Sequence, residues 1–324
     1  MRTLLNLFIA VLVLAALGYG GAKFYIHSKV SDSVDAMLLM AAPFAQVQYT
    51  GISSNLAGEL TMDNVSIKMN GYRDSIDIGR MGIKTKNFIA LLKLTDFANA
   101  AQSGDTSALD EIGFIAQDIR ILASSDFYRD WYDKNIEALQ PADIRQRGVQ
   151  CVGKYGFSPK TLQALGYGEM LVSVGFIVRQ AEDRFVTEME FDVVEMTDVD
   201  VSITMGGSAM AGAMMGAAYR PTLHHLEIVV TDRSLNQRVT KHCSELGLSP
   251  EQITRAQLAA LHHFGDNMGI TFDEYIVEPY KEYLAGKSTF IATARPRAPL
   301  DIGTIDAYAP GDIPALLNLE SVAR

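Results

Sequence analysis

The stretch MLVSVGFIVRQAEDRFVTEMEFDVVEMTDVDVSITM, residues 170–205, decides the fold. Apolar side chains recur at every second position in three successive segments, Met170–Gln180, Arg184–Met196 and Asp198–Met205. That period puts them on one face of a half-buried strand. The Ala181-Glu182-Asp183 interruption is too short for anything but a tight turn, so the segments read as an antiparallel meander.

The same alternation appears on either side. In LAGELTMDNVSIKM (56–69), Leu60, Met62, Val65 and Ile67 alternate with polar residues, with one shift of phase at Asp63-Asn64 that a bulge would explain. Ile76, Ile78 and Ile83 continue it after the Gly71-Tyr72 turn, and IGFIAQDIRIL (112–122) and LEIVVTD (226–232) are further strands. Helical spacing interrupts at 88–101, after Asp126, which is placed to cap, and through about fifty residues from Leu235. In that last region Leu235, Val239, Cys243 and Leu246 share a face that Gly247 closes. Ser249 and Gln252 form a capping box with Pro250 behind it, and Thr271 and Glu274 repeat the signature. STFIATARPRAPLDI (288–302) is extended, with Pro296 and Pro299 marking an edge or an end.

At the amino end, LLNLFIAVLVLAALGYGGAKFYI (4–26) carries one amide, Asn6, and one charge, Lys23. It predicts a transmembrane anchor over residues 1–28, with a cleaved signal peptide as the alternative. The expected fold class is therefore α+β: an N-terminal transmembrane helix, then a curved antiparallel sheet with packed helices, several of them in the C-terminal third. The exported module divides into a half over 29–148, rich in strand, and a meander-plus-helical half over 149–324. This implies a single-pass protein of a bacterial inner membrane with its bulk in the periplasm.

The 324 residues are 48% apolar and 20% charged, which is a folding composition, and 28 basic against 38 acidic residues give a net charge of −10. That balance repels phosphate backbones and excludes nucleic acid as the expected partner. Cys151 and Cys243 are too few for a disulfide scaffold, and spacing does not say whether they meet. Gly286-Lys287-Ser288 lacks the earlier glycine of a phosphate loop, which would fall at Lys281, and follows a helix, so it is a helix cap. His224, His225, His242, His262 and His263 fall within forty residues or so of one another, but no pair has the spacing that aims two ligands at one ion from one helix. We expect no metal and no cofactor. Asp192, Glu195, Asp198 and Asp200 alternate with Phe191, Val193, Val199 and Val201, which makes them a solvated sheet face and not a catalytic pair.

GGSAMAGAMMGAAY (206–219) is too short and weak for a second span. Ser208, Gly212 and Gly216 recur every four residues, the spacing of a helix that approaches another backbone closely, and its methionines are adaptable fillers. If the sheet holds an apolar groove, its lining candidates are Met205, Met210, Met214, Met215, Leu60, Met62, Val65 and Ile67.

The anchor, the strand Gly58-Glu59-Leu60-Thr61-Met62-Asp63-Asn64-Val65-Ser66-Ile67, its continuation Ile76 to Ile83, and Leu91-Leu92 together resemble the AsmA-like and YdgA-type envelope proteins of Gram-negative bacteria over residues 1–95. The resemblance implies a groove-shaped sheet near the inner membrane, engaged with the bilayer or a phospholipid in lipid transport or envelope homeostasis. The helical carboxyl region departs from the long repetitive sheets of that group. Expected, then, is a non-enzymatic lipid-binding protein, or alternatively an accessory subunit docked on a membrane protein complex.

Overall fold

The computed structural model describes residues 42–95, 110–139, 157–207 and 221–324. The elements run β1 (Ala45–Gln48), β2 (Gly51–Ser54), β3 (Glu59–Met69), β4 (Ile76–Thr85), α1 (Phe88–Thr95), β5 (Glu111–Leu122), α2 (Asp126–Leu139) and α3 (Pro159–Ala164). Then come the three meander strands β6 (Glu169–Ala181), β7 (Arg184–Val193) and β8 (Thr197–Gly206), followed by β9 (Thr222–Asp232). The chain continues with α4 (Leu235–Glu245), α5 (Pro250–Met268), α6 (Glu274–Leu284), β10 (Thr289–Ala294), β11 (Leu300–Asp301), a short 3-10 turn, α7 (Ile313–Leu317) and β12 (Leu319–Ala323).

All twelve strands form one sheet, in the order β1-β3-β4-β5-β6-β7-β8-β9-β10-β12, with β2 also on β3 and β11 also on β9. Every pairing is antiparallel. The meander read from residues 170–205 is present in register: Ala181 pairs Arg184 around the Glu182-Asp183 turn, and Val193 pairs Thr197 around a three-residue loop. Glu182 (φ 54) and Glu195 (φ 61) take the left-handed conformation that such short loops demand.

The α+β expectation led by a transmembrane helix is corrected. A large antiparallel sheet dominates, and among the described residues no helix is long and apolar enough to cross a membrane. The run over 1–28 that prompted it lies outside the described residues, as does the stretch 208–219, expected to be a close-packing helix or a compact connector.

The phase shift expected at Asp63-Asn64 is real and extends further. Asn64 (φ 51) on β3 and Asp118 (φ 55) on β5 are both left-handed, and the β5–β6 register slips between Ala116 and Ile119. Across this crease the side-chain alternation is reset, so that Met62, Met81 and Ala116 pack in one cluster with Val65, Ile78 and Ile119. Without the reset, one of those two rows would face the wrong side of the sheet.

The helices gather apolar residues at the sheet's ends. Leu162 and Leu165 beside α3, Val239 and Cys243 of α4 and Ile253 of α5 close over Ala123 and Tyr167, with Met170 and Met196 packed against them. Ile313 and Leu317 of α7 meet Leu223, Ala294 and Leu300, and Tyr280 and Tyr283 of α6 pack on Phe290. The capping box at Ser249 is formed as expected, Ser249 Oγ accepting from Gln252 N and Gln252 Oε1 from Ser249 N. Two expected caps move. Ser125, not Asp126, accepts from the first turn of α2, and Asp273, not Thr271, is the N-cap of α6.

Two glycines show how the sheet bends. A Cβ on Gly113 of β5 would lie 2.7 Å from the Phe176 carbonyl oxygen, and one on Gly82 of β4 would collide with the Leu60 carbonyl. Neighbouring strands therefore crowd together on the side these residues face, which bends the sheet toward it. Gly113→Val is expected to destabilise the protein by about 1–3 kcal/mol, because the clash is with backbone; urea denaturation would measure this. Cys243 is completely buried and disulfide-bonded, and Cys151 is the sequence's only other cysteine. Reduction is expected to lower the unfolding free energy by about 2–4 kcal/mol, read from denaturation curves with and without a thiol reductant.

Candidate functional site

The register assigns each strand residue to one of two faces. On one face, a single row crosses the sheet from strand to strand: Leu60, Ile83, Phe114, Phe176, Met189, Val201, Ile228 and Ala292 are successive partners. Phe191, paired with Val174, lies in the next row. At both ends the face is covered by the clusters above, and Val65 retains only 1% of its surface. In the middle it is open: Phe114 is 39%, Phe176 40% and Phe191 43% exposed, with Ile83 and Met189 beside them. Large apolar side chains that occupy neighbouring positions of paired strands and still face solvent form a patch, which is the informative observation where a lone exposed leucine would not be.

The groove candidates read from sequence fall on this face. Leu60, Met62 and Ile67 are half-buried and Val65 is buried. Met205, opposite both Phe185 and Leu223, is half-buried at the end of β8. Met210, Met214 and Met215 lie outside the described residues. The exposed aromatic centre was missed, because Phe114, Phe176 and the pair Met189 and Phe191 stand on three different alternating segments and only the register sets them side by side.

The opposite face is polar, and it holds a half-open cavity of about 390 Å³. The cavity's lining runs from Lys84 on β4 to Val229 on β9. Those strands are five spacings apart, which in a flat sheet is about 24 Å. Gly82 and Gly113 face this side as well, and Gly175 lines the cavity itself.

Carboxylates crowd this face. Glu190 pairs with Asp200, and Asp192 with Asp198, each directly across the β7–β8 ladder. Arg233, at the end of β9, holds Asp198, its Nε donating to Oδ2 at 2.8 Å. One oxygen of Asp192 and one of Asp198 are buried with no hydrogen-bond partner. Burial first, then the facing Asp198 carboxylate, pushes Asp192 above the usual carboxylate range. Of the four acids expected to lie on a solvated face, Asp192, Asp198 and Asp200 do share it, while Glu195 sits in the β7–β8 loop and reaches Arg238 at 3.4 Å.

The histidines do not converge. His225 stands opposite Thr204, His224 reaches the Thr222 hydroxyl at 3.4 Å, His242 rides on α4, and His262 and His263 are on α5. Among the described residues no group of three or more histidine, cysteine, aspartate or glutamate side chains could hold a metal ion.

A protein-family model described as "Uncharacterized protein" matches residues 180–324, under half of the chain. No curated protein matches it significantly.

Because its folded pKa is raised, Asp192 adds stability in acid, where it carries a proton, and loses that contribution as pH rises through its pKa. Asp192→Asn removes the repulsion that remains at neutral pH. The variant is expected to be more stable than the parent by about 0.2–1 kcal/mol at pH 7. The gain should shrink as pH falls toward 3.8, the ordinary aspartate value. Urea denaturation at pH 7 and pH 4 measures the difference.

Proposed function

We propose that this protein is a non-enzymatic binding protein whose apolar sheet face takes up the acyl chains of a lipid, in an extracytoplasmic compartment bordering the bacterial inner membrane. The observation that carries this reading is the open row Ile83, Phe114, Phe176 and Met189, with Phe191 beside it, in the middle of a face that is packed at its ends. Leaving such side chains in water forfeits roughly 1.5–3 kcal/mol for each one that could have been fully buried. A protein that keeps several together gains from an apolar occupant what it loses when empty. Four adjacent strands contribute to the row, and along it each residue is paired with the next strand in the ladder, so an acyl chain meets side chains there.

Two further features agree. The disulfide at Cys243 belongs to an oxidising environment outside the cytoplasm. The strong negative charge suits no nucleic acid partner. The resemblance of residues 1–95 to AsmA-like and YdgA-type proteins implies the same class of ligand.

The test is lipid extraction and mass spectrometry of the full chain purified from membranes in mild detergent. Phospholipid is expected to co-purify in near-stoichiometric amount, and the double substitution Phe114→Glu, Phe176→Glu is expected to lower it at least tenfold while the fold persists. A protein free of lipid, or one whose lipid content ignores the substitutions, would sink the reading. A single stoichiometric protein partner released by the same substitutions would identify an accessory subunit instead.

A further inference from the structure

The polar-face cavity has a floor that the fold does not require. Three glycines, Gly82, Gly113 and Gly175, lie on this face of neighbouring strands β4, β5 and β6. Gly82 and Gly113 have no room for a side chain, as shown above. Gly175 differs: a Cβ there would meet only the Glu190 side chain, at 3.6 Å, an ordinary contact, and its φ is not in the left-handed region. A glycine inside a strand weakens it, and where neither backbone conformation nor a neighbouring strand demands it, the vacant position marks space used by something else. Gly175 lines the cavity, with Ile115 as its partner on β5 and Glu190 as its partner on β7.

The walls state what that something is. Ile115, Ile177 and Val229 supply aliphatic surface. Glu190, Asp200 and Glu227 line the same space, and among the described residues none of the three has an ion pair or a side-chain hydrogen bond. The two cations of the lining are already engaged. Arg179 donates to Glu188 at 2.6 Å and reaches Glu111 at 3.5 Å, and Lys84 approaches Glu59 at 3.9 Å. Uncompensated negative charge therefore collects over an aliphatic, side-chain-free floor. Glu190 and Asp200 repel each other directly across the ladder. A hydrated metal ion would gain nothing from the aliphatic walls, whereas an alkyl amine satisfies both the charge and the apolar surface, and the volume suits a small molecule.

We propose that this cavity binds a small aliphatic polyamine, its ammonium groups on Glu190, Asp200 and Glu227 and its methylene chain over Gly175 between Ile177 and Val229. Its carboxylates stand on the opposite face from the acyl-binding row, although Phe176, Met189 and Val201 of that row also border the cavity, and the proposal does not depend on the acyl-binding reading.

Isothermal titration of the full chain with spermidine, at 20 and 150 mM salt, tests it, with magnesium chloride as the control for charge screening. Saturable 1:1 binding is expected, and magnesium at equal charge should not reproduce it. Gly175→Leu fills the cavity while leaving every carboxylate in place, and is expected to weaken binding at least tenfold with no loss of melting temperature. Glu190→Gln with Asp200→Asn should weaken it similarly while raising the melting temperature of the free protein. A Phe114→Glu, Phe191→Glu variant, altered at two residues of the other face that do not border the cavity, should bind spermidine as the parent does. Binding that survives Gly175→Leu, or that magnesium matches, overturns the proposal, as does absence of any heat at low salt.

Discussion

The strand register from β3 to β10 is the constraint on which everything else in the molecule rests. In an antiparallel ladder a slip of one residue moves a whole strand's apolar side chains to the other face. Here that slip would place Phe176 and Met189 among the carboxylates and Glu188 and Glu190 among the aromatics. The register is held because several rows must agree at once. Ile83, Phe114, Phe176 and Met189 are partners in sequence across four strands, and each strand's other residues are fixed by the same pairing. The two left-handed residues at Asn64 and Asp118 show the rule from its exception. Where the alternation must change phase to keep Val65 and Ile119 with the core, the backbone takes a conformation that non-glycine residues seldom adopt, at a cost of order 1 kcal/mol each.

The two faces then diverge in how they are completed. Cores at the ends bury Leu162, Val239, Ile253 and Leu317 nearly fully, and α6 covers Phe290 with two tyrosines. Burial pushes the Tyr128 phenol, near the first of these clusters, up to about 12, and raises Tyr283 as well. Between those cores the apolar face is open, and the polar face holds a cavity lined by Gly175. Both surfaces are generated by departures from the plain alternating pattern: aromatics left uncovered on one side, side chains withheld on the other.

Much of this was legible in the sequence. The meander could be read because the alternation in residues 170–205 is long and its turns are short, and the crease because Asp63-Asn64 breaks the period visibly. Short elements escaped: β1, β2 and β12 have four or five residues each, too few to display a period. The caps of α2 and α6 were misplaced by one and two residues because several capping side chains stand in a row at each helix start. The amino-terminal hydropathy led to a fold description weighted toward a spanning helix, whereas the sheet is what organises the described chain. The candidate sites were half visible. Leu60, Met62, Val65 and Ile67 sit on one strand, so their common face follows from spacing alone. The Phe114–Phe176 pairing and the Glu190–Asp200 opposition are products of register between strands, which no single segment encodes.

The order of the strands has a consequence for how such a chain comes to be folded. From β3 to β10 each strand lies beside the next one in sequence, and no parallel crossover has to be threaded. Contacts close in sequence cost little loop entropy, and chains dominated by them fold faster than those with distant pairings. The sheet can therefore grow by accretion, each new strand templated on the one just completed, with a single advancing edge at any moment. That edge is also where a stalled chain would pair with another, and β12, laid on β10, is the last of the described strands to be added.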